Sequence, residues 1–175
     1  YLDSFILHGP FQNFGISDED LEVWSAMENL LDQKRTLAIG VSNVGLDQLK
    51  TLFSKSRIKP KFVQNRCYAS RQWDYEVRNF CLQNDIIYQG FSLLTANVAF
   101  LGSPPILALA KKYKKTIPQI TFRFAHQIGM LPLTGTSDQN HMKEDLEIFD
   151  FELEDSELKI IEAPEQLASS GAKVR

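Results

Sequence analysis

The sequence predicts an α/β protein built on a parallel sheet, and two observations carry that expectation. Short runs rich in Val, Ile and Phe start near residues 2, 36, 61, 86 and 130 and alternate with longer stretches of helical period, the pattern of successive βαβ units. Each short run is almost wholly apolar instead of alternating, as a parallel strand covered on both faces must be. An open doubly wound sheet and a closed barrel both satisfy these observations. No G-x-G-x-x-G follows the first strand, which weighs against the Rossmann form of the open sheet.

The elements follow in order. "LDSFILH" reads as the first strand and "DEDLEVWSAMENLLDQK" as the first helix, with Leu21, Trp24, Leu30 and Leu31 able to share a face and Ser17 or Asp18 placed to cap it. "TLAIGV" precedes the helical "GLDQLKTLFSKS", and "KFVQN" precedes "DYEVRNFCLQN". "IIYQG" leads to helices starting at about Pro105 and at Pro118, prolines suited to a first helical turn. "MLPL" is the last strand, followed by "DQNHMKEDLEIF" and a short helix from Glu154 to Glu162. Residues 1–165 are expected to form one domain portion and residues 166–175 a loose polar tail containing "SSGAKVR".

A chain of 175 residues is long enough for one domain with a substantial core. Hydrophobic residues at 43%, charged residues at 23% and a net charge of −3 exclude a disordered chain and a general nucleic-acid binder. The basic clusters "KSRIKPK" and "KKYKK" lack a series of interleaved stacking aromatics and read as solvated surface. Cys67 and Cys81 have no zinc-like or redox spacing, which fits a reducing compartment and argues against a disulfide framework. His8, His126 and His141 have no metal-ligand spacing and there is no G-x-S-x-G elbow, so neither a metal site nor a hydrolase is expected. No apolar run approaches the roughly 18 residues of a membrane span, and Tyr1 does not open a signal peptide. The expected location is cytoplasmic, with neither nucleic acid nor membrane as partner.

The strand ends carry the candidate chemistry. They read His8-Gly9-Pro10, Ser42-Asn43, Gln64-Asn65, Phe91-Ser92 and Thr134-Gly135-Thr136. Any one of these is ordinary turn chemistry. In a β/α barrel the carboxyl ends of the strands meet on one face, where such residues together build a pocket.

"YLDSFILHGP", "AIGVSN", "FVQN", "TIPQITFRF" and "EDLEIFDFEL", in this order from Tyr1 to about Leu158, resemble the aldo-keto reductases, nicotinamide-dependent carbonyl reductases on a (β/α)8 TIM barrel. The resemblance covers the fourth to the eighth strand of that fold, so it implies a partial barrel of about five β/α units. It implies that His8 is the active-site histidine, whose neutral imidazole bonds the substrate carbonyl; the bland alternative is a buried histidine satisfied by backbone. Ser42, Asn43 and Gln64 would hold the nicotinamide carboxamide. Phe91 would stack on the nicotinamide where relatives use tyrosine, with Ser92 and Leu94 beside it in "FSLL" where relatives read "YSPL".

The phosphate end departs from the family. Relatives carry a lysine and serine after the last strand and an arginine in the following helix; here stand Gly135, Thr136 and His141, with Asp138 in the same turn, Lys143 as a compensating cation, and Glu144 and Asp145 at adenine-contacting positions. The helix N-terminus is expected to offer exposed amides to an anion. The implied cofactor is NADP(H) or NAD(H), with weakened selectivity for the 2′-phosphate.

The resemblance also implies direct hydride transfer to an aldehyde or ketone, a small-molecule carbonyl substrate. The family's acid is a tyrosine tuned by a lysine and an aspartate, all from its first three strands. Tyr68, Tyr75, Tyr88 and Tyr113 match no such position. The expectation is therefore a reductase whose N-terminal strands are absent from this chain, which alone would be inactive, or a short chain completed by a protein partner. The alternative class is a non-catalytic, cofactor-sensing or structural subunit.

Overall fold

The computed structural model describes residues 1–162; the expected polar tail, 166–175, lies outside the described residues. Strands β1 (Phe5–Leu7), β2 (Ile39–Ser42), β3 (Phe62–Arg66), β4 (Ile87–Phe91) and β5 (Leu131–Pro132) form one sheet in chain order. β1 and β2 pair in parallel with Ile6 opposite Gly40, and β2 and β3 with Val41 opposite Val63. All five lie in the runs the sequence marks, and β2 is buried at every residue, as a strand covered on both faces requires. The helices are α1 (Asp18–Asp32), α2 (Leu46–Lys55), α3 (Tyr75–Gln83), α4 (Val98–Leu101), α5 (Pro104–Tyr113), α6 (Ile117–Gln127), α7 (Gln139–Leu146) and α8 (Asp155–Glu162). The chain divides into two compact units, Tyr1–Asn65 with Glu76–Gln89, and Arg66–Tyr75 with the chain from Gly90 onward.

In the first unit, Ser17 caps α1. Its Oγ accepts from the Asp20 amide at 3.2 Å, while the Asp20 carboxylate accepts from the amides of Ser17 at 2.9 Å and Phe11 at 2.8 Å, tying the loop after β1 to the helix. Buried Trp24 donates from Nε1 to the Ile58 carbonyl at 3.1 Å, and Glu28 Oε1 accepts from the Ile58 amide at 2.8 Å. The first basic cluster is thereby engaged rather than merely solvated. Arg57 pairs with Glu28 and Asp32 at 3.3 and 2.7 Å, and Lys59 Nζ donates to the last carbonyls of α2 at Phe53 and Ser56.

Gly40 sits where three strands meet. A Cβ there would lie 2.6 Å from Ile6 Cδ1, 2.6 Å from the Phe62 carbonyl oxygen and 2.8 Å from Phe62 Cβ. Backbone oxygen cannot rotate out of the way, so the strands must separate. Gly40→Ala is expected to cost about 1–3 kcal/mol of stability, read as a lower urea midpoint at constant slope; an unchanged midpoint would show that the sheet opens without cost.

In the second unit the core gathers on Trp73, whose ring lies 5.1 Å from Phe124 and 5.8 Å from Phe100 and whose Nε1 donates to the Ile161 carbonyl at 2.8 Å. Trp73 occupies a left-handed turn with Gln72 and Asp74, at φ values of 54°, 52° and 59°. Such backbone costs roughly 1–2 kcal/mol per non-glycine residue, and burying the indole with its hydrogen bond offsets it. α6 starts with a reciprocal Thr116–Gln119 box, Gln119 Oε1 accepting from the Thr116 amide at 3.0 Å. The second basic cluster is also ion-paired: Lys112 with Glu154 and Glu157 at 2.7 and 2.8 Å, Lys115 with Asp150 at 3.8 Å.

Candidate functional site

The predicted residues form two clusters, one in each unit. In the first, β1 is followed by His8, whose side chain is exposed and whose ring nitrogens meet no partner among the described residues. The buried-histidine alternative does not hold within this chain, where the imidazole lies at the surface. Its carbonyl is what the fold uses, accepting from Asn43 Nδ2 at 2.7 Å. Asn43 takes a left-handed backbone, φ 54°, which an asparagine tolerates, and its Nδ2 also lies 3.0 Å from Ser42 Oγ. Ser42 Oγ in turn donates to the Gln64 carbonyl at 2.6 Å, and Gln64 Nε2 donates to Gln89 Oε1 at 3.0 Å.

Ser42, Asn43 and Gln64 are therefore brought together, and their turn chemistry and candidate binding role coexist. Among the described residues Asn43 Oδ1 and Gln64 Oε1 accept nothing, leaving two acceptors. A primary carboxamide presents two N–H donors, so the cluster fits a nicotinamide carboxamide through its acceptors, not through the Ser42 proton. Asn65, next to Gln64, is structural: buried, it accepts from the Val44 amide at 3.0 Å and donates to the Val44 carbonyl at 2.7 Å.

The second cluster surrounds a cavity of about 400 Å³ in the second unit. Leu94, Gly135, Thr136, His141, Glu144 and Asp145, all singled out by sequence, line it, with Thr116, Pro118, Phe122 and Thr134. Sequence reasoning left Thr116, Pro118 and Phe122 in a helix; the signal was the Thr116-to-Gln119 capping box, which marks a helix start at the same rim. Thr134 Oγ1 donates to Asp145 Oδ2 and Thr116 Oγ1 to Glu144 Oε2, both at 3.3 Å. Thr136 Oγ1 and His141 Nδ1 lie 3.4 Å apart.

Two expectations change here. Two of the first α7 amides are already engaged: Asp138 Oδ1 accepts from the amides of Asn140 at 2.7 Å and His141 at 3.3 Å. Those bonds hold the Asp138 carboxyl below the usual range. Lys143, the expected compensating cation, is not part of the cavity wall: its side chain is 78% exposed and its ammonium sits 3.9 Å from Glu147. Phe91 and Ser92, expected beside the nicotinamide, lie outside this wall; the Arg66 guanidinium lies 5.7 Å from the Phe91 ring centre, covering one face. Ser92 makes a left-handed turn, its carbonyl accepting from the Ala96 amide at 2.9 Å.

A tyrosine beside a lysine and a carboxylate does occur, at Tyr113, whose hydroxyl donates to Glu157 Oε2 at 2.5 Å next to Lys112. Burial and that carboxylate push the phenol upward, the wrong direction for an acid. Among the described residues no group of His, Cys, Asp and Glu could hold a metal ion, and no helix is long and apolar enough to cross a membrane.

Parallel strands in chain order, helices between them and side-chain clusters after the strand ends define part of a (β/α)8 barrel. The chain belongs to the aldo/keto reductase family, whose profile matches residues 1–165. It is 29% identical over 163 residues to an uncharacterized oxidoreductase of Bacillus subtilis, covering 93% of this chain and 56% of that protein. It is 30% identical over 189 residues to prostaglandin F synthase 1 of Bos taurus, covering 93% and 58%. The chain thus spans under three fifths of the length of these relatives. Among solved structures it resembles an aldo/keto reductase from Brucella melitensis, with TM-score 0.80, 27% identity and coverage of 93% and 60%. An aldo-keto reductase complexed with NADPH matches with TM-score 0.79 and 25% identity, covering 91% and 53%.

Proposed function

We propose that the complete protein reduces an aldehyde or ketone by direct hydride transfer, and that this chain contributes the carbonyl-orienting histidine and most of the dinucleotide contacts. The observation that carries this reading is the convergence of Leu94, Gly135, Thr136, His141, Glu144 and Asp145 on one cavity, reinforced by family membership and a neighbour solved with NADPH. When bound, a nicotinamide cofactor supplies the hydride. Asn43 and Gln64 accept its carboxamide hydrogens, Ser42 fixes the Asn43 amide, and one face of Phe91 offers a stacking surface. The cavity takes the adenosine end. His8 donates a hydrogen bond to the substrate carbonyl, polarising it and setting its face. The acid is proposed to lie outside residues 1–175, since the Tyr113 phenol is tuned the wrong way.

The test is label transfer. The intact protein, supplied with dinucleotide carrying deuterium at the transferable position and a panel of small aldehydes, is expected to place deuterium on the carbinol carbon. Residues 1–175 alone are expected to turn over nothing above background. Binding of dinucleotide without label transfer by the intact protein would favour the cofactor-sensing alternative, and absence of both would overturn the reading.

A further inference from the structure

We propose that the cavity beside α7 selects the dinucleotide with a free ribose 2′-hydroxyl, NAD(H), over the 2′-phosphorylated form; the inference rests on the reading above that this cavity takes the adenosine end. A phosphate monoester brings about −1.5 to −2 charges at pH 7 and three acceptor oxygens, so a site that takes it must supply cations or N–H donors. This cavity supplies no permanent cation. Its wall holds two carboxylates, Glu144 and Asp145, and no lysine or arginine.

The nearby cations are committed elsewhere, Lys143 to Glu147 and Lys115 to Glu147 and Asp150. Two of the donors that the helix start offers are also taken, since the Asp138 carboxylate accepts from the amides of Asn140 and His141. Asp138 thereby places a third negative charge one turn from the cavity, in the position an incoming anion would occupy. His141 is the one basic side chain on the wall, and its Nδ1 already faces Thr136 Oγ1 at 3.4 Å.

What remains suits a sugar. Each carboxylate receives a threonine hydroxyl, Thr134 on Asp145 and Thr116 on Glu144, through one oxygen, leaving acceptor capacity on the other. Acidic side chains that accept from ribose hydroxyls are a general solution for an unphosphorylated dinucleotide, and the same carboxylates repel a 2′-phosphate.

Titrating the intact protein with NADH and with NADPH, read by the change in nicotinamide fluorescence at low salt, should give an NADPH Kd at least about tenfold the weaker, as expected for a dianion close to two carboxylates in a solvent-screened site. The preference should shrink several-fold in Glu144→Gln and again in Glu144→Gln/Asp145→Asn. Because the measure is a ratio within each variant, general loss of affinity does not mimic it. Equal or tighter NADPH binding by the unaltered protein overturns this inference alone. Failure of both dinucleotides to bind overturns the adenosine-end reading and this inference with it.

Discussion

Asn97→Ala is expected to remove about 2–5 kcal/mol of folding stability, since three buried hydrogen bonds to backbone are lost and stranded backbone groups cost about 1–3 kcal/mol each. The Asn97 side chain is buried at the end of the turn after β4, with its Oδ1 accepting from the Ala69 amide at 2.7 Å. Its Nδ2 donates to the carbonyls of Cys67 at 2.9 Å and Leu93 at 2.8 Å. One amide thus joins the segment after β3 to the segment after β4, using a donor and an acceptor that only asparagine places on so short a stem. Alanine removes all three bonds at once. Domains of this size have about 5–15 kcal/mol in hand, so the loss consumes much of the margin. The same turn carries Leu94 to the cavity wall, and nucleotide affinity should fall with stability. Chemical denaturation followed by circular dichroism is the measurement; a loss below about 1 kcal/mol would mean that the turn does not depend on Asn97.

The parts of this fold that were legible in sequence are those where one physical constraint dominates. A parallel strand covered on both faces must be apolar throughout, so all five strands announced themselves, although the first was read from residue 2 and hydrogen-bonds as a strand only at Phe5–Leu7. Leu2 keeps an isolated bridge to Thr36. α4, with four residues, is too short to show a period. The left-handed turn at Gln72–Asp74 was hidden because no glycine marks it and the burial of Trp73 pays for it. The site divides the same way. Of the residues that barrel logic places after strands, those following β5 and Leu94 after β4 line one cavity, while Ser42, Asn43 and Gln64 gather in a separate cluster. What stayed invisible was competition between side chains for the same partners: Asp138 occupying the α7 amides, Lys143 turning to Glu147, Arg66 lying over Phe91. Composition and spacing do not say which of several nearby groups a carboxylate or ammonium will choose.

His8→Leu in the intact protein is expected to lower kcat/KM for carbonyl reduction by about 10²–10³-fold, the usual scale for a positioned proton donor or oxyanion partner, while leaving dinucleotide affinity within about twofold. The structure separates the two effects. The fold depends on the His8 carbonyl, to which Asn43 Nδ2 donates at 2.7 Å, and every side chain at this position leaves that oxygen in place. The Asn43–Ser42–Gln64 cluster therefore survives the substitution. The imidazole is exposed and meets no partner among the described residues, so in residues 1–175 its removal should change stability by less than about 0.5 kcal/mol, which denaturant unfolding checks. A hydrogen bond that strengthens as charge develops on the carbonyl oxygen is lost mainly in the transition state, so the fall should appear in kcat as well as kcat/KM. His8→Gln, which keeps an N–H donor on a stem of similar reach, should recover part of the loss. Activity of His8→Leu within about threefold of the unaltered protein would assign carbonyl polarisation to another group and leave His8 only its backbone role.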